Sequence, residues 1–536
     1  MPKTAAVVIS LLAGAFFLAA APAPLDEQVK KLDAIMEKCW SGHGLTPAPA
    51  VDDAGFFRRL SLRVRGKLPK LGELEAFLDD EDPDKRTKLI AKWLDSTDFA
   101  TLMAMRYADM FRIKSEFPIN LWPNAVQCYH RYFYLLTLED RSWKTVTKEL
   151  LTSSGSNFRI PPANFFRANA DRTPKGLAAG TALALMGFRT AALPADAQER
   201  FAAFFSRIRF KSTMEWKEEI VYNDPAPAVL KCATPDGETF TIDTARKDPR
   251  QIFADWLTDD GNPFFARAYV NRAWYWMFGA GIANPADDLP LPRGFWKKLF
   301  GAEPRPNDPA DEKLMAFLED FFRDNGYSTK KLFHLILRSR AWQNGWRPVS
   351  GTFAENEKYF AVYPVRRLES ELLCDALSSL TGSYERFFSV IPEPFTYIPR
   401  GTPSIALADG SMSTGTLDKF GRPSRDSGKL SERNSTPTGA QRLHLMNSGI
   451  LFRQITQLPG RTFRGNLSWD RQLTIAYYSV LCRAPREEEH DAARKYFDKL
   501  PGNQRWRFWQ ELYWALVNTT EFSCQDRKST RLNSSH

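Results

Sequence analysis

DPDKRTKLIAKWLDSTDFATLMAMRYADMF, residues 82–111, carries two helical stripes in succession. Asp82-Pro83 reads as an N-cap followed by proline at the first helical position, where a missing N–H costs nothing. Leu89, Ile90, Trp93 and Leu94 then form an apolar stripe. Asp98 opens the next helix, and Phe99, Leu102, Met103, Tyr107, Met110 and Phe111 share one of its faces at a spacing that fits a helix far better than a strand. Capped amphipathic helices in succession predict a mainly α fold.

The pattern extends in both directions. Toward the N-terminus, Val29, Leu32, Met36 and Cys39 predict a short helix over about 26–40, and GHGLTPAPAV breaks it as a linker. Before that, Lys3 precedes AAVVISLLAGAFFLAAA, which reads as a secretory signal peptide cut near Ala20. The expected location is therefore periplasmic or secreted, with no membrane span once the signal is removed. Toward the C-terminus, GLAAGTALALMGF is too short to span a bilayer and reads as a buried helix. Prolines, a PDG turn and alternating Phe240 and Ile242 predict a hairpin near 229–243. Caps return at Asp248-Pro249, Asn262-Pro263 and Asp308-Pro309, and the stripe Leu314, Phe317, Leu318, Phe321, Phe322 closes at Gly326. Residues 391–440 lack a period and form a long irregular loop, after which helices resume from Thr438 to about 522.

The expected organisation is two helical domains with a small β-hairpin near their boundary and the long loop in the second. A signal peptide covers 1–21, a short helix and linker 22–50, the first domain 51–225, the hairpin 226–247 and the second domain 248–522. The last residues, 523–536, read as a non-native tail. A chain of 536 residues is long for one core. Its 39 Phe and 15 Trp demand large buried surfaces. The net charge of +10 comes from scattered Lys and Arg with no basic run, which argues against nucleic acid and leaves a solvated surface with weak attraction for acidic glycans. The six cysteines are widely spread without a CxxC pair and do not form a disulfide framework.

No phosphate-binding loop, dinucleotide fingerprint, HExxH or nucleophile elbow is present in the sequence. Four polar groups carry what chemistry there is. In RRLESELLCDAL, Arg367, Glu371 and Asp375 fall four apart, as a surface ion-pair ladder or with Glu371 as a site carboxylate held by Arg367. In EWKEEI, Glu215, Glu218 and Glu219 fall within one helical turn, as a solvated face or an acid pair. In PADDLP, Asp287 and Asp288 form a turn or cap, with calcium ligation as the alternative. SERN and QRLHLMN bring together Glu432, Arg433, Gln441 and His444, and Gln441, His444 and Ser448 share a face. His444 serves as an acid or base only with a carboxylate such as Glu432 in reach. Any site is therefore expected under the long loop. Arg433 would pair with Glu371, or Glu432 with Arg367, and Glu371, Arg433 and His444 would meet in one pocket. Glu371 and His444 are the catalytic candidates, Arg367, Glu432, Arg433 and Gln441 the binding candidates, and Asp287 and Asp288 the metal candidates.

Several stretches in series resemble one family. DDAGFFRRLSLRVRGKLP with DKRTKLIAKWLDS resembles the first of two paired domains found in exported planctomycete and verrucomicrobial proteins. DPRQIFADWLTDDGNPFFARAYVNRAWYWMFGAGI, STKKLFHLILRSRAWQ, YPVRRLESELLCDAL, ERNSTPTGAQRLHLMNSGILFRQ and ELYWALVNTTEF resemble the second. Both domains are of unknown function and are named for the cytochrome domain that often precedes them. This chain departs at three places where relatives carry sulfur ligands. KCWSGHG has one Cys and a misplaced His, MGFRTAALPADAQERFAAFF has neither, and SGKLSERN keeps only Glu432 and Arg433. Covalent haem needs two cysteines and a histidine together, so none is expected, and no other cofactor is. The resemblance implies an exported accessory or structural protein linked to polysaccharide handling, with an exported sulfatase-like protein and acidic polysaccharide as partners. The alternative is a carboxylate-dependent hydrolase or lyase acting on acidic glycans, and an electron-transfer cytochrome is a distant third.

Overall fold

The computed structural model describes residues 24–291, 309–462 and 466–524, and these are 56% helical and 5% strand. The expected signal peptide, the expected cap at Asp308 and the tail beyond residue 524 lie outside the described residues. The helices start where turn chemistry places them. Asp80 and Asp82 each accept the backbone N–H two residues on, at 2.9 and 2.8 Å. These turns delay the helix to Lys85–Leu94, later than a cap at Asp82 predicts. The next helix, Thr97–Met110, is capped by Ser96, whose hydroxyl accepts from the Phe99 N–H at 3.2 Å. Asp98 instead pairs with Arg65 and Lys67. Asp248 caps Pro249–Leu257 as expected, and Asp311 caps Glu312–Asp324.

The apolar stripes meet in one continuous core that runs from Leu32 and Met36 through Phe99, Tyr107 and Trp276 to Tyr513 and Phe522, so both halves of the chain build it. Helix Thr97–Met110 packs along Trp122–Leu138 near its middle. There the Tyr107 and Tyr269 hydroxyls bond at 2.6 Å, and Tyr269 bonds Thr329 at 2.6 Å, which satisfies polar tips that burial would otherwise strand. Buried arginines close orphan carbonyls. Arg58 donates to the carbonyls of Val480 at 3.2 Å and Phe522 at 3.0 Å. Arg59 lies 3.8 Å over the Tyr363 ring, and Arg272 donates to the Ala184 carbonyl at 2.7 Å. A planar guanidinium suits this work because it offers several donors in a fixed fork.

The expected hairpin is present. Val229–Ala233 pairs antiparallel with Thr239–Asp243, Val229 opposite Asp243, with Ile242 buried and Phe240 half-buried on one face. A second sheet falls on EWKEEI and corrects the helical reading there. Ile208–Ser212 pairs with Glu219–Asn223, which also pairs with Gly155–Ser156. Lys217 turns the chain with φ of 64°, and buried Glu218 accepts from the hydroxyls of Ser156 and Thr213. Glu215, Glu218 and Glu219 therefore share no helical face. Among the described residues no disulfide joins the cysteines. Among the described residues no helix is long and apolar enough to cross a membrane.

Helix Ser370–Thr381 ends at Gly382, whose φ of 63° needs a residue tolerant of the left-handed region. From there to the cap at Thr438 the chain is irregular, with only brief turns at Ser404–Ala406, Gly415–Lys419 and Leu430–Glu432. This long loop is held down from beneath. The Asp375 carboxylate accepts the N–H groups of Ser404 at 2.6 Å and Ile405 at 3.0 Å.

Candidate functional site

The helix that carries RRLESELLCDAL begins at Ser370, so Arg367 precedes it and shares no ladder with Glu371 and Asp375. All three are buried rather than on the surface, and each bonds elsewhere. Arg433, arriving from the loop, is the hub of the buried charges around Glu371. Its guanidinium binds Glu371 at 2.6 and 3.1 Å and Asp109 at 2.6 Å, and lies 3.3 Å from Glu369. Glu369 in turn takes both ends of Arg106, at 2.6 and 2.8 Å. Arg422 lies 3.4 Å from Glu371, and Arg425 binds Asp109 at 2.9 Å. Burial alone would raise the Glu371 carboxyl, but Arg433 and Arg422 hold it well below the usual carboxylate range. The same environment depresses His130, whose imidazole is pushed down to about 3 by burial and by Arg425.

This network is closed. The Glu371 side chain is 1% exposed and that of Arg433 9%, so neither can meet a polymer. Its chemistry is anchoring. Arg367 donates to the carbonyls of Phe420 at 2.7 Å, Asn434 at 3.0 Å and Ser435 at 3.2 Å, not to Glu432. Glu432 instead accepts from the Asp426 and Ser427 N–H groups at 3.2 and 2.5 Å. Gln441 completes a capping box with Thr438 and donates to the Lys419 carbonyl at 2.8 Å. Asp287 accepts the Leu430 N–H at 3.0 Å, and Asp288 lies 3.9 Å from Arg189. Among the described residues no group of three or more His, Cys, Asp and Glu side chains could hold a metal ion.

His444 lies elsewhere, and the expected meeting of Glu371, Arg433 and His444 in one pocket does not occur. The imidazole lines a cavity of about 430 Å³ together with Glu385, Lys419, Cys374 and Ser448. Burial and Lys419 lower its pKa, and Glu385 opposes them. Gln441, expected on the same face, is buried away from that cavity. Residues 383–386 form a wall shared with a larger cleft of about 700 Å³, bounded by Gly382–Gly401. Around that cleft Tyr384 is 42%, Phe388 73% and Tyr397 71% exposed. Arg386 and Arg400 line it as well, both exposed.

Sequence reasoning found Glu371 and Arg433 but missed Asp109, Arg106, Glu369, Arg422 and Arg425. Glu369 was within sight, two residues before Glu371. The others lie on distant segments and carry no local signal. The aromatics of 384–397 were legible as rings in a segment with no period to bury them.

Comparison with known families places the chain. The family described as PSCyt2, a protein of unknown function (DUF1549), matches residues 31–184. The family described as PSD1, a protein of unknown function (DUF1553), matches residues 249–497. The chain belongs to this paired planctomycete cytochrome-associated family. No curated protein matches the chain significantly, and no solved structure does. Both family segments contribute to the Arg433 hub, Arg106 and Asp109 from the first and Glu369, Glu371 and Arg433 from the second.

Proposed function

We propose that this protein is a non-catalytic accessory protein of the exported compartment that holds an acidic polysaccharide in the Gly382–Gly401 cleft. The observation that carries the reading is the make-up of that cleft, three exposed aromatic rings beside Arg386 and Arg400, with Glu385 and Glu393 also on its lining. Among the described residues neither arginine forms an ion pair. Exposed aromatic faces in a surface cleft are a recognition feature, because they give contact area to the apolar faces of a ligand at little entropic cost. Guanidinium forks match carboxylate and sulfate oxygens two at a time. The net charge of +10 adds attraction at long range. The resemblance to proteins associated with exported sulfatase-like proteins points the same way, and such a protein is the proposed partner. Export itself rests on the apolar N-terminal sequence.

The second reading, a hydrolase or lyase acting on acidic glycans, is favoured by His444 and Glu385 in the adjoining cavity. It ranks behind because Glu371, the candidate acid, is fully buried in an anchoring pair. Calorimetric titration of the purified protein with sulfated, uronic-acid and neutral polysaccharides, with product analysis on the same samples, separates the two. Salt-sensitive binding of the acidic chains without new reducing ends or unsaturated products is expected. Absence of binding to every acidic chain overturns the proposal, and product release establishes the second reading in its place.

A further inference from the structure

The cavity that His444 lines lies between helices Ser370–Thr381, Gly439–Asn447 and Gly449–Thr456 and the first residues of the long loop. Its polar groups are not spent on the protein. Ser378 is 5% exposed, and its hydroxyl is open to the cavity without a hydrogen-bond partner among the described residues. Among those residues neither nitrogen of the His444 ring has such a partner, and the Lys419 ammonium forms no ion pair. Glu385 accepts the Thr414 hydroxyl with one oxygen, and Gln454 donates its amide to Ser383 Oγ at 2.8 Å. Each of the two therefore keeps an oxygen free to accept.

These groups select a ligand by what each can bond. Lys419 and Arg386 stand against the single carboxylate of Glu385, so the lining carries net positive charge. A carboxylate finds charge-assisted donors there. The spare oxygens of Glu385 and Gln454, with the Ser378 hydroxyl, suit hydroxyl groups. Leu377, Leu445 and Leu451 supply apolar surface for the C–H face of a ring. An inorganic anion would leave the acceptors and the leucines unused, and a fatty acid would leave the acceptors unserved. A sugar acid uses all three. The cavity, about 430 Å³, is of a size common for small-molecule sites.

We propose that this cavity binds one hexuronic acid residue, its carboxylate on Lys419 and Arg386 and its hydroxyl groups on Ser378, Glu385 and Gln454. Residues 383–386 wall both this cavity and the Gly382–Gly401 cleft, so the bound residue is the end of a chain that continues along the cleft. In that role the inference rests on the reading above, and it narrows the acidic polysaccharide to one ending in uronic acid.

Saturation-transfer NMR on the full chain tests it, with sodium glucuronate as the probe and glucose and sodium acetate as controls. Saturable transfer to glucuronate is expected, with both controls at least about tenfold weaker, since each lacks one half of the recognised chemistry. Lys419→Met should raise the glucuronate Kd at least about tenfold and Ser378→Ala about threefold, in variants whose melting curves show that they fold. No saturable transfer to glucuronate, or equal transfer to glucose, in protein that still binds an acidic polymer overturns this inference and leaves the cleft reading standing. So does an unchanged glucuronate Kd in the folded Lys419→Met, Ser378→Ala double variant. Glucuronate binding in protein that holds no acidic polymer supports the cavity and sinks the cleft reading alone.

Discussion

Arg433 grips Glu371 at two points, Nη1 to Oε2 at 2.6 Å and Nη2 to Oε1 at 3.1 Å. Glu371 stands in the first turn of helix Ser370–Thr381, where the helix dipole also favours a negative charge. Arg433 stands at the far end of the loop, so this pair is the clasp that closes it. Removing one side of such a clasp strands the other in the protein interior.

Arg433→Ala leaves Glu371 and Glu369 without their shared cation and weakens the hold on Asp109. It is expected to cost about 3–5 kcal/mol of stability, the usual penalty for breaking a buried pair from one side. Glu371→Gln should cost less, since Arg433 keeps Asp109 and Glu369. Denaturant titrations of both variants and of the double variant give the coupling. Equal losses from the two single changes would contradict the hub assignment.

Two buried carboxyls set a pH dependence. Burial pushes Glu319 up to about 7 and Asp375 up to about 6. Each therefore keeps its proton in the folded chain after the unfolded chain has lost it. Their contribution to stability is fully present below the ordinary carboxylate range near pH 4 and is lost as pH rises through 6 and 7. Glu319→Gln stays neutral throughout and should flatten the decline between about pH 5 and 7.5. An unchanged slope in the variant, read by urea midpoints, would refute this.

The sequence has no CxxCH anywhere. Protein purified from cells supplied with haem should show no Soret band that survives acid–acetone extraction. Such a band would mean that haem is attached by some other route.

The helices were legible because their stripes keep a 3.6-residue period. Phe99 to Met110 and Leu314 to Phe322 are buried as that period requires. The 229–243 hairpin was legible through its PDG turn. The second sheet was not, because Glu215, Glu218 and Glu219 spell a polar helical turn, and only tertiary contacts to Ser156 and Thr213 satisfy Glu218. Ile220, Val221 and Tyr222 were the signal available for a strand. For the site, a charged residue beside an apolar stripe must find a partner, and that need pairs Glu371 with Arg433. Asp109 carries no such signal, since it reads as an ordinary polar position beside Met110 and Phe111. His444 was expected to need a carboxylate and lines a cavity with one, but it is Glu385 from the opposite end of the loop rather than Glu432. Chain order carries no record of how an irregular segment folds back.

Titration of an Arg386→Ala, Arg400→Ala double variant with the acidic polysaccharide bound by the unaltered protein decides whether the Gly382–Gly401 cleft holds the ligand. Both arginines are exposed and outside the Arg433 network, so Tm should stay within about 1 °C of the original, as for surface substitutions generally. Kd is expected to rise at least about tenfold, equivalent to about 1.4 kcal/mol of lost charge-assisted contact. An unchanged Kd in a fully folded double variant would contradict the account and place any glycan binding outside this cleft.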